Sequence, residues 1–120
     1  MVDRDGETKT VLRIIVNEAL RAGIEDIAVV VDPETKDSYR KAAGDAGKQL
    51  AFIEQAEPKG YAHAVLTAAD FIQHDSFLHL VGDHIYVSAE QRGCAEQLVA
   101  VAEKEECSVS AVQALSLIHI

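Results

Sequence analysis

The sequence predicts an α/β domain: an open, mostly parallel sheet with helices on both faces, three layers in all. Two observations carry that expectation. Short apolar runs at 26–31, 50–53, 77–81 and 108–114 alternate with stretches of helical periodicity at 11–22, 34–46, 62–71 and 89–105. The first run is also a continuous β-branched stretch, the pattern of a parallel strand covered on both faces, and it stops at Asp32 and Pro33. No internal repeat, linker or low-complexity tract divides residues 1–114, so one domain is expected.

In chain order, Leu12, Ile15, Val16, Ala19 and Leu20 make one face of the first helix, with Arg13, Asn17, Glu18 and Arg21 turned away. Thr8 or Thr10 suits its cap, and Gly23 suits the left-handed residue that ends it. The second helix is more polar, with Tyr39, Ala42 and Ala43 inward and Gly44 and Gly47 weakening its end. After the strand at 50–53 comes a loop with Pro58 and Gly60, then a helix with Ala64, Val65, Ala68 and Ala69 inside. The strand at 77–81 ends at Gly82 and Asp83, and the longest helix follows at 89–105. Phe52, Phe71 and Phe77 are expected in the core, and the run Glu103, Lys104, Glu105 and Glu106 as a solvated helix end.

Composition limits the partners. Twenty Asp and Glu against 11 Lys and Arg leave a net charge of -9, the wrong sign for gripping a nucleic-acid backbone, so no nucleic-acid partner is expected. A single nucleotide is not excluded, because backbone N–H groups and one metal ion can hold it. No apolar run approaches the ~20 residues of a membrane span, and residues 1–10 carry no signal-peptide pattern. Cys94 and Cys107 form no CxxC motif and read as structural thiols in a reducing, cytoplasmic location.

Two places could carry chemistry. Gln55 offers a carbonyl acceptor and an amide donor pair, the complement of a uracil or thymine edge. Gly60 lets a flat ring approach the backbone, and the helix start near Ala62 favours an anion. The plainer reading of this stretch is a connecting loop. At the carboxyl end of the strand at 77–81, where open α/β sheets bind ligands, Asp83 is placed to hold Mg²⁺ or, more plainly, to cap a turn. His79, Asp83 and His84 lack the further ligands that zinc requires, and His63 and His74 read as helix-surface or helix-end residues.

Taken in order, three segments resemble the sugar-phosphate nucleotidylyltransferases of the UTP–glucose-1-phosphate kind. Residues 11–31 look like that family's EALRAGI-DI-VV helix and strand. Gln55, with Glu57, Pro58, Lys59 and Gly60 and then Ala62, His63, Ala64 and Val65, looks like its base-binding loop, Q-x-x-P-x-G-L-G-H-A. Val81, Gly82 and Asp83 look like its L-G-D metal strand. The resemblance covers residues 2–114 and implies a Rossmann-like nucleotide-diphospho-sugar transferase fold. Gln55 and Gly60 would contact the pyrimidine base and Asp83 would hold Mg²⁺ at the α-phosphate. The substrates would be a nucleoside triphosphate and a sugar-1-phosphate, and the resemblance leaves room for a homo-oligomeric parent with no membrane partner.

The departures are specific. The family's G-x-G-T-R signature, with its catalytic Arg and a downstream Lys, would precede Met1, so no catalytic residue is expected within this chain. Its first strand, between the strands at 27–31 and 77–81, would be missing too. Thr10 stands where relatives carry Pro, Tyr61 replaces Leu, and Ala62 replaces the second Gly of G-L-G-H-A. Residues 115–120 read like the translation of a transposon end used in preparing sequencing libraries, hence a non-native tail; the plainer reading is a strand continuing from Val112. The expectation is therefore an internal fragment, inactive alone, of an enzyme that transfers a nucleotidyl group from UTP or dTTP to a sugar-1-phosphate. The alternative is a non-catalytic nucleotide-binding or regulatory α/β module. A transferase using a nucleotide-sugar donor would show D-x-D, which Asp83, His84 and Ile85 do not match.

Overall fold

Thr10 opens the first helix, α1 (Val11–Arg21): its hydroxyl oxygen accepts from the Arg13 N–H at 3.3 Å and its hydroxyl donates to the Ala42 carbonyl at 2.6 Å. The second bond ties the start of α1 to the end of α2 (Lys36–Ala43), a link that proline could not supply. The helix ends as the sequence predicts, with Gly23 at φ 84°. Gly23 N–H donates to the Leu20 carbonyl at 3.0 Å and Ile24 N–H to the Ala19 carbonyl at 3.2 Å, the paired bonds of a Schellman end. Ile15, Val16 and Ala19 are buried; enclosing Val16 contributes roughly 1.5–3 kcal/mol.

The computed structural model describes residues 1–2 and 6–112. After α1 come β1 (Ile27–Val31), α2, a 3₁₀ turn (Gly44–Lys48), β2 (Leu50–Glu54), α3 (Tyr61–Thr67), α4 (Ala69–Ile72) and α5 (Cys94–Glu105). β1 and β2 pair in parallel, from Ile27 opposite Leu50 to Val31 opposite Glu54, with α2 as the crossover that parallel strands need. The architecture is the expected α/β one, reduced among the described residues to an open two-stranded sheet. α1 packs on α2 and α5, while α3 touches β1. No helix among the described residues is long and apolar enough to cross a membrane.

Several elements differ from expectation, each for a physical reason. Residues 77–81 form no ladder, and neither do 108–112; the rest of that predicted strand and the tail at 115–120 lie outside the described residues. Strand propensity expresses itself through a neighbour, and among the described residues β1 has its ladder with β2 alone. β1 is accordingly half-buried along residues 27–30 rather than enclosed. Phe77 and Phe71 are 56% and 40% exposed, not core; Phe52 is half-buried, with the Arg40 guanidinium 5.5 Å from its ring centre. The helix predicted at 62–71 breaks at Ala68, one residue after Thr67 turns its hydroxyl back onto the His63 carbonyl at 2.8 Å, a bond that bends helices.

The longest helix starts later than predicted, at Cys94, because of Glu18. Expected to face solvent, Glu18 instead places Oε1 3.0 Å from the Ala95 N–H, on the free donors of the first turn of α5. Gly93 makes room for it: a Cβ there would sit 2.6 Å from the same oxygen. Before the helix, the Gln97 amide holds Ser88 Oγ at 2.9 Å and the Arg92 carbonyl at 3.0 Å, folding 88–92 back over the first turn. The charged end, residues 103–106, is exposed as predicted.

Glu18→Ala should lower stability by roughly 1 kcal/mol, read by urea denaturation, and speed amide exchange in the first turn of α5. Gly93→Ala should cost less in the Glu18→Ala background than alone, because the oxygen it displaces has gone. Burial, and then the Glu18 carboxylate, push the Cys94 thiol above its ordinary range. Glu18→Gln should therefore increase the thiolate fraction and accelerate Cys94 alkylation at pH 8, with exposed Cys107 unchanged; equal Cys94 rates would exclude the charge effect.

Candidate functional site

The site is built at the carboxyl ends of the two strands. Asp32 stops β1 by taking the Glu34 N–H on its carboxylate at 2.8 Å. β2 runs one rung further, since the Gln55 N–H donates to the Val31 carbonyl at 2.9 Å. Beside it, Lys36 Nζ holds Glu54 at 2.7 Å across the strand tips. Gln55 thus leaves the sheet from a backbone already fixed on both sides.

The loop from Gln55 closes on itself. Lys59 pairs with Glu57 at 2.6 Å on the exposed outer side. Gly60 sits at φ 93° and ψ -179°, which a residue with a Cβ rarely adopts; no atom lies within 4 Å of where a Cβ would be, so conformation rather than crowding requires glycine. Its carbonyl accepts from the Ala64 N–H at 3.1 Å and from Gln55 Nε2 at 3.3 Å. Gln55 Nε2 also lies 2.8 Å from His63 Nδ1. Both amide hydrogens of Gln55 therefore have partners inside the loop, which leaves Oε1 as the polar atom it can offer outward.

The second place is the turn after residues 77–81, closed by His84 N–H donating to the Val81 carbonyl at 3.3 Å. Asp83 stands in it with its side chain 82% exposed and His84 Nε2 3.8 Å away. Among the described residues no three His, Cys, Asp or Glu side chains gather as a metal site. One open carboxylate does not make a preformed cage. It does match Mg²⁺, which keeps its waters and takes further oxygens from substrate phosphates.

The structure brings Gln55 and Gly60 together and leaves Asp83 apart from both. What joins the two places is a contact the sequence did not reveal: Tyr61 Oη meets His79 Nδ1 at 2.8 Å, with the rings edge-to-face at 5.1 Å. Tyr61 follows Gly60 directly, and Asp83 lies four residues past His79, at most about 14 Å of extended chain. Tyr61, His79, His84, Tyr86 and Leu98 share a cleft of about 1110 Å³. Gln55, Gly60 and Asp83 are not in its wall; Tyr61, which follows Gly60, and His84, which follows Asp83, are. His63 was likewise missed, because its spacing from Gln55 reads as a helix-surface position until the loop is seen to curl back.

A family model described as nucleotidyl transferase matches residues 5–115. The chain belongs to the nucleotidyl transferase family. A glucose-1-phosphate thymidylyltransferase of Streptomyces griseus is 37% identical over 83 residues, covering 66% of this chain and 23% of the relative. UTP–glucose-1-phosphate uridylyltransferases of Bacillus subtilis and Staphylococcus haemolyticus are 34% and 30% identical, each over 88% of this chain and over 43% and 44% of their own lengths. This nucleotidyl transferase chain thus spans less than half the length of these curated relatives.

Tyr61→Phe tests the bridge. It should remove the hydroxyl–imidazole contact and keep the ring packing, costing no more than about 1 kcal/mol at so exposed a site. Amide exchange should rise over residues 77–83 and stay unchanged in β1 and β2; a uniform response would show that the contact does not hold this segment.

Proposed function

We propose that residues 1–114 form the nucleotide-binding part of an enzyme that transfers a nucleotidyl group from UTP or dTTP to a sugar-1-phosphate, giving a nucleotide sugar and pyrophosphate. The observation that carries this reading is the Tyr61–His79 contact, which links the Gln55–Gly60 loop, at the carboxyl end of β2, to the segment bearing Asp83. The named activities of the thymidylyl- and uridylyltransferase relatives support it.

In this reading Gln55 and Gly60 face the pyrimidine and fix the nucleotide's orientation. Asp83 is the residue that would hold Mg²⁺, its exposed carboxylate supplying one of the oxygen ligands. When bound, the ion offsets the negative charge of the phosphates. A sugar-1-phosphate oxygen attacks the α-phosphorus in line; the new P–O bond forms as the bond to pyrophosphate breaks. Such a reaction depends chiefly on positioning and charge neutralisation, and this chain's share is the positioning of base and α-phosphate. Lys59 pairs with Glu57 on the exposed outer side of the loop and is assigned no role here.

The test is calorimetric titration of UTP with and without Mg²⁺. The chain should bind UTP more tightly with Mg²⁺, and Asp83→Ala should abolish that increment while keeping the Mg²⁺-free affinity. Gln55→Ala should weaken both by about 2- to 10-fold, the worth of one hydrogen bond. A Mg²⁺ increment that survives Asp83→Ala would remove the metal role from that residue and count against the reading.

A further inference from the structure

We propose that His63 is a positioning residue that locks the Gln55 amide, so that the loop recognises a base through an N–H donor on the base and not through the base's acceptors. The inference rests on the reading of the Gln55–Gly60 loop as the base contact and adds to it the residue that sets its polarity.

The orientation of the amide follows from a chain of partners. The first bond of α3, Ala64 N–H to the Gly60 carbonyl at 3.1 Å, fixes that carbonyl. At 3.3 Å from it the Gln55 side chain must present its nitrogen, since turning the amide over would set two carbonyl oxygens against each other. The same nitrogen lies 2.8 Å from His63 Nδ1 and has only hydrogens to offer, so Nδ1 must be the bare nitrogen of the ring and Nε2 carry the proton. Adding a proton to Nδ1 would turn two donors toward each other. The His63 ring belongs to a residue whose carbonyl is itself engaged by Thr67 Oγ1 at 2.8 Å.

With both hydrogens consumed, the amide is no longer the two-sided complement of a pyrimidine edge that its chemistry allows. Oε1 remains, and it can only accept. The ligand class selected is a base carrying a ring N–H beside its carbonyls, as N3–H of uracil and thymine does, and the two carbonyl oxygens of that base must find donors other than Gln55. Without His63 the amide loses one of its two restraints and can turn to donate to a base carbonyl.

The experiment has two arms on the 120-residue chain. Long-range ¹H–¹⁵N correlation of the His63 ring should show Nδ1 unprotonated and Nε2 protonated; a proton on Nδ1 overturns the lock directly. Titration with UTP and with N3-methyl-UTP, which lacks the N–H, should show a preference for UTP of about tenfold in the native chain. That preference should collapse to about twofold or less in His63→Ala and persist in His63→Asn, whose Oδ1 can accept near the position of Nδ1. An unchanged ratio in His63→Ala with UTP still bound would overturn the inference and leave the base-binding reading standing. No binding of either nucleotide to the native chain would overturn both. Loss of the preference in His63→Asn as well as His63→Ala would also count against the lock, since an acceptor would then be insufficient.

Discussion

The site depends on one backbone contact: the last rung of the parallel ladder, where Gln55 N–H meets the Val31 carbonyl at 2.9 Å. The five paired positions before it give β1 and β2 a common end, and this bond carries the register one residue beyond the strand. Without it Gln55 would start a free loop. With it, the Gln55 side chain begins from a fixed backbone and reaches Gly60 and His63 within a few ångströms. Parallel strands are costly to pair because a crossover must be closed first, and here α2 and its 3₁₀ turn supply that closure.

The helical side is held differently. Its buried residues are mostly small, with Ala19, Ala43, Ala68 and Ala95 beside Ile15 and Val16, so apolar burial alone gives little specificity of position. Directional bonds between distant segments supply it. Thr10 fixes α1 against α2 through Ala42, and Glu18 fixes α1 against α5 through Ala95, 77 residues away in sequence. The second contact joins a carboxylate to the positive end of a helix, and Gly93 leaves the space it needs. A lone carboxylate thereby does what a larger core would do by shape.

Much of this was legible in the sequence, and the failures share a cause. Helix α1 with its Thr10 and Gly23 ends, both strands, and the α/β class follow from local periodicity and turn chemistry, which short windows record. The start of α5, the break at Ala68 and the orientation of Glu18 do not, because each is decided by a partner elsewhere in the chain. The run at 77–81 has the residues of a strand and lacks a ladder, the clearest case of propensity without pairing. In the site, Gln55 and Gly60 stood out by residue type, whereas Tyr61, His63 and His79 matter through geometry that no spacing rule predicts.

The two halves of the site are prepared to different degrees. Around Gln55 every restraint is internal: a ladder bond, a glycine conformation, a carbonyl with both lone pairs used, and an imidazole nitrogen. Such a loop meets a ligand with little conformational freedom left to lose, which favours discrimination between flat rings of similar size. Asp83 has one neighbour at 3.8 Å and otherwise faces solvent, so a cation there must be completed by water and by the ligand it accompanies. A preformed cage would hold the ion whether or not a nucleotide came with it. In the function proposed above, an open carboxylate would make tight metal binding conditional on phosphate, and the Tyr61–His79 contact would limit how far the Gln55–Gly60 loop stands from that carboxylate.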